Sequence, residues 1–467
     1  MTSGAYMGRA SERRLFGTDG IRGLAEAFPL DPDTIYAIGR ALGRHLSHAG
    51  AHRQVVVGQD TRESSPAIAD SVAAGLKSVG VEVRSAGVIT TPGIAYLART
   101  QEFDAGIVIS ASHNPWTDNG IKVFGHDGYK LPDKVELEIE QKIFSHLADP
   151  EKSDLRNGTP RDGSSTLPGD AALRRAYVAW LLSQVDAAQV AKSRILVDCA
   201  NGAASELASE VFRACGVRAN FIHCQPTGRN INENCGTLHP EVVARAVVEA
   251  GADVGITFDG DADRALFASA DGKAVNGDGV LLLAARELKV SGALAGNTVV
   301  ATTMSNMGLE AALRRHGIHM LRAQVGDKYV LEEMQKTGAT LGGEQSGHII
   351  FRDGDATTGD GLLTALRVLE IIGRSSRSMA ELVSELKVFP QIIKNVRVRE
   401  KKPLLEIPEI AHAIREAEQA LDGNGRVVVR YSGTEALARV MVEAETEDRM
   451  TFFADSIAAV IQKVLGL

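Results

Sequence analysis

Three aspartates stand at alternate positions in the stretch TFDGDADR, residues 257–264. Asp259, Asp261 and Asp263 follow an apolar run typical of a strand, so their carboxylates would share one face or surround one point. Carboxylates this close repel one another unless a positive charge lies among them. Oxygen ligands favour Mg²⁺ or Ca²⁺, and the closing glutamate of a twelve-residue EF-hand loop is absent. The pattern predicts a metal site, beside which Arg264 could bind a phosphoryl oxygen.

A serine in the stretch ISASHNP is a candidate nucleophile, because it follows an apolar run at 106–109. A serine hydrolase would place the serine in a G-x-S-x-G turn, which the sequence lacks. His113 is adjacent to Ser112, and sequence neighbours seldom reach the geometry of a nucleophile and its base. A G-x-x-x-x-G-K-[ST] nucleotide loop is also absent. Ser112 beside a metal site therefore favours phosphoryl transfer through a phosphoserine, with charge stabilisation providing most of the catalysis.

The stretch VVVRYSGTEALAR, residues 427–439, predicts two strands joined by a loop that could bind a dianionic phosphate. The loop offers hydroxyl groups and unhindered N–H groups, and two guanidinium groups flank it. The candidate phosphate-binding residues are Arg430, Ser432, Gly433, Thr434 and Arg439. A simple hairpin turn is the alternative, but it would not explain two arginines directed at one turn.

Two glycine-containing stretches carry weaker signals. GGEQSGHI contains Glu344, Ser346 and His348, which could bind sugar hydroxyls, although an ordinary loop would have a similar composition. LFGTDGIRG places Thr18 and Arg22 in a turn near the start of the first domain. Neither stretch is specific alone. Together with the serine, the aspartates and the phosphate loop, they indicate a phosphorylated polyol as the substrate.

The elements that must position these residues recur three times along the chain. A β-branched strand runs into a small-residue loop and then a helix at 54–83, 194–219 and 297–320. Each helix ends at a glycine before Val or Ile, as at a C-terminal cap followed by a strand. Such units imply parallel sheets with right-handed connections. A second strand in each copy ends in one of the polar loops, so we expect the three loops to converge on one cleft.

Composition divides the chain into four parts. The polar segment 151–170 is typical of a linker, and further breaks lie near 269–279 and 385–400. A helix, two strands and a terminal helix after the last break predict a small domain of a different kind. The predicted fold is α/β, with three repeated domains of mixed or parallel sheets and a smaller C-terminal α+β domain around a central cleft. The predicted domains are 1–160 with the phosphoserine loop, 161–268 with the metal loop, 269–386 with the sugar loop and 387–467 with the phosphate loop.

The overall composition excludes several classes of protein. Of 467 residues, 44% are hydrophobic and 24% are charged, which is typical of a globular protein with several domains. The formal net charge of −8 argues against nucleic acid or an anionic membrane as the main partner. No apolar run is long enough to span a membrane, and we expect the N-terminal stretch, which has no apolar core, not to be a secretory signal. The four cysteines, Cys199, Cys215, Cys224 and Cys235, form no C-x-x-C pair, which favours free thiols in a reducing cytoplasm over a zinc site.

The motifs resemble those of the α-D-phosphohexomutases. FGTDGIRG, ISASHNPWTDNGIK, NINENCGTLHPE, DGDADR and GGEQSGHI carry the resemblance, which extends from about residue 15 to the end of the chain. The serine in ISASHNP and the glutamine in GEQSGH are more similar to the amino-sugar branch than to the branches for mannose or glucose phosphates. The resemblance implies conversion of glucosamine 6-phosphate to glucosamine 1-phosphate, which supplies amino sugars for the cell wall.

The resemblance also implies a role for each candidate residue. Ser112 would be phosphorylated, would bind one Mg²⁺ per chain together with the three aspartates, and would act through a glucosamine 1,6-bisphosphate intermediate. Lys122, Arg22 and His348 match positions for proton transfer or charge stabilisation, and a lysine near a phosphoserine should keep a high pKa. The substrate would be bound by Arg264, Asp327, Glu344, Ser346, Arg430, Ser432, Gly433, Thr434 and Arg439.

One departure from the family pattern concerns the phosphate loop. Ala436 stands where the family usually has proline, which predicts a freer loop. Arg439 keeps its place, so we expect phosphate binding to survive.

Alternatives remain within the family and outside it. Within the family, the alternative is a phosphomannomutase or phosphoglucomutase. Outside this class of enzyme, the alternatives are an inactive sugar-phosphate-binding protein and a serine hydrolase. None of the residues whose loss would mark an inactive protein is replaced. We expect a cytoplasmic protein whose partner is a small sugar phosphate, and a homodimer is a family-level expectation.

Overall fold

The structure is a computed structural model that describes residues 14–46, 53–148, 167–352, 354–432 and 436–466. The chain divides into two compact units, which are Met1–Thr303 with Leu321–Val383, and Met304–Met320 with Ser384–Leu467. Among the described residues, no helix combines the length and the apolar character that crossing a membrane requires.

The first unit begins with a mixed sheet. Its strands are β1 (Phe16–Gly17), β2 (Gly20–Leu24), β3 (Gln54–Gln59), β4 (Glu82–Val88), β5 (Ala105–Ile109) and β6 (Asp118–Gly125), in the order β1-β2-β6-β5-β3-β4. Strand β3 pairs in parallel with β4 and β5, whereas β6 runs antiparallel to β5 and β2. Its helices are α1 (Pro32–Leu46), α2 (Ser65–Lys77), α3 (Thr91–Thr100) and α4 (Asp133–Leu147).

Alternation along the central strands explains how helices cover both faces of this sheet. Val57 and Ile107 point to one face, where they share a buried cluster with apolar side chains of α1, α2 and α4. Gly58 and Gly106 alternate with them and lie against Ile94 of α3 on the other face. Side chains of successive strand residues point to opposite faces, so a strand covered on both faces is apolar throughout.

A second sheet of the same kind follows. Its strands are β7 (Arg194–Asp198), β8 (Arg218–Ile222), β9 (Val254–Phe258), β10 (Ala265–Ser269) and β11 (Ala274–Val275), in the order β11-β10-β9-β7-β8. Strand β7 pairs in parallel with β8 and β9, and β10 returns antiparallel to β9. Its helices are α5 (Ala171–Ser183), α6 (Ala187–Val190), α7 (Ala204–Ala214) and α8 (Pro240–Glu249).

The third sheet is shorter. Its strands are β12 (Thr298–Thr302), β13 (His319–Ala323), β14 (Leu341–Gly343) and β15 (Ile349–Phe351), in the order β13-β12-β14-β15. Strand β12 pairs in parallel with β14, and β15 returns antiparallel to β14. The helices of this part are α9 (Gly277–Val290), α10 (Met307–Arg315), α11 (Asp327–Thr337), α12 (Gly361–Ser375) and α13 (Met379–Val383), and a 3₁₀ turn covers Ala295–Asn297. Helix α10 belongs to the second compact unit.

The three sheets repeat one pattern, which confirms the predicted α/β repeat. In each, a parallel pair (β3 with β5, β7 with β9, β12 with β14) is extended by an antiparallel return strand (β6, β10, β15). The connection between the second parallel strand and its return strand is one of the polar loops. The predicted glycines after the first helix of each repeat are Gly80, Gly216 and Gly317, with φ of 80°, 75° and 63°, the left-handed conformation that ends many helices.

The second unit contains the predicted α+β domain. Its strands are β16 (Gln391–Arg397), β17 (Gly425–Tyr431) and β18 (Leu437–Ala444), antiparallel in the order β16-β18-β17, and its helices are α14 (Pro408–Leu421) and α15 (Glu447–Leu465), with a 3₁₀ turn at Leu404–Glu406. Helix α10 begins at Met307, whose N–H donates to Glu443 of β18 at 2.6 Å. The stretch 304–320 therefore belongs to this compact unit, although it lies inside the third predicted domain. The four domain boundaries stay predictions.

Candidate active site

Three polar loops lie together at the carboxyl ends of β5, β9 and β14. They are 110–117, 259–264 and 344–348, and backbone hydrogen bonds tie them and their surroundings together. Thr91 at the start of α3 donates its N–H to the carbonyl oxygen of Asp261 at 3.0 Å, and Ala265 donates to that of Gly347 at 3.1 Å. The first unit therefore brings together the loops that the sequence predicted to converge.

Ser112 lies in the first loop with a left-handed backbone, φ 52°, and is buried. Its Oγ donates a hydrogen bond of 2.6 Å to Oδ2 of Asp259, and its own N–H donates to Oγ of Ser110 at 3.0 Å. His113 Nδ1 lies 3.4 Å from the same Oγ. Burial, with Arg264 and Arg22 nearby, lowers the pKa of His113 to about 4. The structure thus brings His113 near the serine hydroxyl, and the expectation that it shapes the loop rather than activates the serine stays a prediction.

The three aspartates form a buried cluster whose ligand oxygens lie within 4.8 Å of one another. Burial and the charges of Asp263 and Asp261 raise the pKa of Asp259 well above its usual range, so the cluster resists carrying three negative charges. Oδ1 of Asp261 and Oδ1 of Asp263 are buried and accept no hydrogen bond within the described residues. Because these donors are all oxygens, the site fits Mg²⁺. The aspartates and Ser112 are the residues that would hold the cation.

Lys122 of β6 lies directly beside this cluster and is 1% exposed. Its Nζ is 2.8 Å from Oδ2 of Asp261, 3.3 Å from Oδ2 of Asp263 and 3.0 Å from Oδ2 of Asp19. Burial alone would lower the pKa of this lysine, but the carboxylates outweigh burial and hold the pKa well above its ordinary value. Lys122 is therefore a fixed cation rather than a free base.

The charged network extends to two residues that sequence reasoning missed. Asp19 accepts hydrogen bonds from Arg22 and, at 2.6 Å, from Lys130, whose Nζ also donates to Asp327 at 2.5 Å. Burial opposes the charge of Asp19, but Lys122 and Lys130 outweigh it and hold the pKa of Asp19 well below its usual range. The sequence signal for Asp19 was its place beside Thr18 in the glycine-rich turn, whereas Lys130 had no motif of its own.

A cavity of about 410 Å³ opens beside these charges. Predicted site residues Arg22, Arg264, Asp327, Glu344 and His348 line it, together with Leu15, Gly17, Thr18, Asp19, Gly20, His113, Asp263, Val325 and Gly326. The lining mixes both charges with glycine-rich backbone, as expected for a site that binds a polar, anionic small molecule. Ser346 is not part of this lining.

The loop between β14 and β15 orients its polar side chains by local hydrogen bonds. Glu344 accepts from the N–H of Gly326 at 3.0 Å through Oε1 and from Ser346 Oγ at 3.4 Å through Oε2. Gly359 donates its N–H to Nε2 of His348 at 3.0 Å. The neutral imidazole therefore carries its hydrogen on Nδ1, which lies 3.8 Å from Oδ1 of Asp263.

A buried arginine that sequence reasoning missed donates hydrogen bonds to the backbone of the serine loop. Arg62 follows β3, is 1% exposed, and pairs through Nε with Asp60 at 2.9 Å. Its Nη groups donate to carbonyl oxygens of the serine loop, those of Ser112 (2.9 Å), Asn114 (3.1 Å) and Pro115 (2.7 Å). Its sequence signal was the polar QDTR stretch at the end of an apolar strand, equivalent in position to the other loops.

The second unit contains the predicted phosphate-binding residues. Arg430 of β17 and Arg439 of β18 are directly opposite one another in the antiparallel register. Ser432 is buried, and its carbonyl oxygen accepts a hydrogen bond from Lys401 at 2.7 Å. Like charges directly opposite across a strand pair repel, which is the arrangement expected of an anion site. Gly433 and Thr434 lie outside the described residues.

Sequence comparison identifies the class of protein that this fold and site define. The chain matches the four domains described as phosphoglucomutase/phosphomannomutase: alpha/beta/alpha domain I over residues 13–149, domain II over 175–272, domain III over 276–389 and the C-terminal domain over 393–460. The chain belongs to the phosphoglucomutase/phosphomannomutase family. The predicted superfamily is thereby confirmed, together with the fold class.

The relatives place the chain more narrowly. It is 62% identical over 457 residues to the phosphoglucosamine mutase of Koribacter versatilis, covering 97% of this chain and 98% of that protein. It is 54% identical over 452 residues to the phosphoglucosamine mutase of Solibacter usitatus, covering 97% and 99%. A phosphoglucomutase/phosphomannomutase family protein from Burkholderia thailandensis has the same fold, with a TM-score of 0.74 at 24% identity, covering 96% of this chain and 97% of that chain. The two phosphoglucosamine mutases support the predicted amino-sugar branch, which is bacterial phosphoglucosamine mutase.

Proposed function

We propose that this protein is an intramolecular phosphotransferase of the isomerase class that interconverts glucosamine 6-phosphate and glucosamine 1-phosphate. The carrying observation is the 2.6 Å hydrogen bond from Ser112 Oγ to Asp259. It places a serine hydroxyl at a buried cluster of carboxylates that suits a divalent cation, next to a polar cavity of about 410 Å³.

In the proposed reaction, Ser112 carries a phosphoryl group as phosphoserine. The O1 hydroxyl of glucosamine 6-phosphate attacks the phosphorus, the bond to Ser112 Oγ breaks, and glucosamine 1,6-bisphosphate forms. The intermediate turns around, and Ser112 Oγ attacks the phosphoryl group at O6, which leaves glucosamine 1-phosphate. In each step the attacking hydroxyl releases a proton, and the oxygen that leaves takes up a proton. One Mg²⁺ held by Ser112 and the three aspartates would neutralise phosphoryl charge.

The cations around the serine would stabilise the charge that develops during transfer. Lys122 is held in place by two carboxylates of the aspartate cluster and by Asp19, so it needs no rearrangement during the reaction. Arg22 and Arg264 line the cavity and supply guanidinium groups for the phosphoryl oxygens. We also assign His348 to the proposed catalytic residues, because it lines the cavity and its Nδ1 lies 3.8 Å from Oδ1 of Asp263.

Two groups of predicted residues are assigned to substrate binding. We propose that Glu344, Ser346 and Asp327 bind the sugar hydroxyls. Ser346 would also orient Glu344, to which its Oγ donates a hydrogen bond. The non-transferring phosphate would be held by Arg430, Ser432, Gly433, Thr434 and Arg439. The four domains that carry these loops would be bounded near residues 160, 268 and 386, and a homodimer remains part of the proposal.

The sugar is the part of the proposal that the geometry decides least. Glucose and mannose 6-phosphates share the phosphate group with the amino sugar and differ from it at the second carbon, where glucosamine carries an amino group in place of a hydroxyl. The choice of glucosamine therefore depends on the motifs and on the phosphoglucosamine mutases of Koribacter versatilis and Solibacter usitatus.

The test supplies purified protein with Mg²⁺, a trace of the sugar 1,6-bisphosphate and the 6-phosphates of glucosamine, glucose or mannose in turn. We expect the highest kcat/KM with glucosamine 6-phosphate. Efficient conversion of another sugar without conversion of glucosamine 6-phosphate would contradict the specificity.

A variant separates the phosphoserine from the rest of the proposal. Ser112→Ala should lower activity by at least about a thousandfold, because a covalent carrier has no substitute. Intact-mass measurement should show a species heavier by one phosphoryl group in the parent and not in this variant. Ser145→Ala, at an exposed serine of α4, is the matched control and should keep both properties. A phosphorylated species that persists in Ser112→Ala would show that another residue is the carrier.

A further inference from the structure

A second cluster of metal-ligating groups lies in the second sheet and shares no residue with the aspartate cluster. Asp198 is the last residue of β7, His223 directly follows β8, and Cys235 comes from the long connection between β8 and α8. One ligand atom from each residue lies within 4.8 Å of the other two. Three separate segments therefore converge on one point.

The carboxylate of Asp198 is fully buried. Its oxygens accept hydrogen bonds from the N–H groups of Ala200 and Gly236, each at 3.0 Å, and from Thr257 Oγ1 at 3.3 Å. Its ion-pair partner is Nδ1 of His223 at 3.0 Å, and no lysine or arginine in the described part of the chain pairs with it. Buried carboxylates are usually paired with a cation or bound to a metal.

The thiol of Cys235 is fully buried beside this carboxylate. Burial and the charge of Asp198 raise the pKa of Cys235 to about 12, so without a cation the thiol stays protonated. A protonated, inaccessible thiol is a poor nucleophile, which argues against a catalytic Cys-His-Asp group here. The side chain of His223 is 35% exposed and offers a route for an ion from solvent.

We propose that Asp198, His223 and Cys235 form a binding site for a Zn²⁺-class cation. One oxygen, one nitrogen and one sulfur are the donors that zinc accepts, whereas Mg²⁺ and Ca²⁺ take oxygen donors. Nδ1 of His223 and the carboxylate of Asp198 are now joined by a hydrogen bond of 3.0 Å, and the cation would lie between them in place of that hydrogen bond. Three protein ligands leave one tetrahedral position for water.

This site has a structural consequence for the serine loop. The connection that contributes Cys235 also contains Asn232, whose Nδ2 donates to the carbonyl oxygen of Ser112 at 2.9 Å. A cation that binds Cys235 together with residues at the ends of β7 and β8 would therefore restrict the motion of this connection and of the hydrogen bond from Asn232 to Ser112. The absence of C-x-x-C spacing argued against zinc in the sequence, but that spacing applies to ligands from one turn, and these come from three segments.

The test is a cobalt titration of the chelator-treated full-length protein in excess Mg²⁺, which occupies the oxygen-only aspartate site. Co²⁺ replaces Zn²⁺ in such sites, and coordination by a thiolate produces a ligand-to-metal absorption band in the near ultraviolet. We expect this band to saturate at one equivalent per chain and to disappear when Zn²⁺ is added.

Two variants and one control make the result specific. Cys235→Ser and His223→Asn should each abolish the saturable band, and circular dichroism should show that both are folded. His223→Asn keeps the thiol and alters a partly exposed position, so it tests the site even if Cys235→Ser does not fold. Cys215→Ser, at the end of α7 and outside the cluster, should keep the band. No thiolate band in the folded parent, or a band that survives in Cys235→Ser, would overturn the proposal, and neither result depends on mutase activity.

Discussion

Arg62 Nη2 donates a hydrogen bond to the carbonyl oxygen of Ser112 at 2.9 Å, from a side chain that is fully buried. The same carbonyl oxygen accepts from Asn232 at 2.9 Å, so donors from two neighbouring sheets hold the serine. The left-handed backbone of Ser112 is costly for a residue with a side chain, and such a conformation persists only where its surroundings enforce it. We therefore expect Arg62 to position the proposed nucleophile.

We predict that Arg62→Lys lowers kcat about a hundredfold and leaves KM nearly unchanged. Lysine keeps the charge near Asp60, but its three donors lie on one nitrogen atom, so it cannot bind Asp60 and three separate carbonyl oxygens at once. Each of these carbonyl oxygens keeps one other donor, from Asn232 or from the N–H of Asp118, so the substitution weakens the support of the loop rather than abolishing it. A displacement of about 1 Å at a nucleophile can lower the rate about a hundredfold. Steady-state kinetics at a temperature where the variant is folded measures both constants.

The matched control for this substitution is Arg194→Lys. Arg194 pairs with Asp253 on the exposed surface of the second sheet. We expect no measurable loss of stability and unchanged kinetics, because exposed ion pairs contribute little. A rise in KM with constant kcat in Arg62→Lys would mean that Arg62 serves substrate binding instead of positioning the serine.

A second prediction concerns Lys122 and the carboxylates it neutralises. Lys122→Met should lower the free energy of unfolding of the metal-free protein by about 3–5 kcal/mol, because Asp261 and Asp263 would be left buried without their cation. The uncompensated cluster should then bind Mg²⁺ more tightly. We therefore expect Mg²⁺ to raise the Tm of the variant more than that of the parent, measured by thermal unfolding over a series of Mg²⁺ concentrations.

Lys273→Met is the control for this prediction, since Lys273 pairs with Asp271 at an exposed site. Its loss should leave the free energy of unfolding and the Mg²⁺ response unaltered, because exposed ion pairs contribute little. Equal Mg²⁺ responses of Lys122→Met and the parent would show that the lysine and the metal do not share these carboxylates.

Much of this arrangement could be predicted from local patterns, and the missing parts have a common reason. The aspartates, Ser112 and the repeated sheets were predicted because each lies within one short motif or one regular period. Arg62, Asn232 and Lys130 were missed because their contacts join residues 50 or more positions apart in the chain. A single sequence contains no signal for such pairs until the fold places them together.

The sheets illustrate the same limit. The β-branched runs predicted parallel strands, and each parallel pair is present. Strands β6, β10 and β15 return antiparallel, and their short connections create the loops that contain the site. Helix α10 follows β12 in the chain yet belongs to the second compact unit, since its N-terminal N–H binds Glu443, a contact across more than a hundred residues that no local pattern indicates.

A third prediction separates stability from phosphate binding in the second unit. Arg430→Gln and Arg439→Gln should each raise KM about tenfold to a hundredfold, the value of one charge-assisted hydrogen bond to phosphate. Arg430→Gln should also leave the ligand-free protein as stable as the parent or slightly more stable, because Arg430 lies directly opposite Arg439 across the strands. Kinetics and thermal unfolding give the two quantities.

The control is Arg397→Gln, at an arginine of β16 opposite Leu437, which should change neither KM nor stability. A parent-like KM in both test variants would exclude this phosphate site.

A fourth prediction concerns the pH dependence of stability and the pair Tyr177 and Asp360. Tyr177 of α5 donates to Oδ2 of Asp360 at 2.7 Å, and Asp360 caps α12 by accepting from the N–H of Leu363 at 2.9 Å. Burial raises the pKa of Asp360 to about 6, and the two hydrogen bonds offset only part of this effect. An unfolded aspartate has a pKa of about 3.9. Between these values the folded protein binds more protons than the unfolded chain.

Stability should therefore fall as the pH rises from about 4 to about 6, by up to about 3 kcal/mol for this group, and should level off above that range. Asp360→Asn cannot ionise and still offers an oxygen to cap α12, so it should lack this decrease and gain stability relative to the parent at neutral pH. Tyr177→Phe removes a hydrogen bond that lowers the pKa of Asp360, so the fall should continue to higher pH. Urea denaturation of the metal-free proteins at a series of pH values, followed by circular dichroism, measures the difference. Parallel pH profiles for the parent and Asp360→Asn would mean that Asp360 is already ionised in the folded protein at acidic pH.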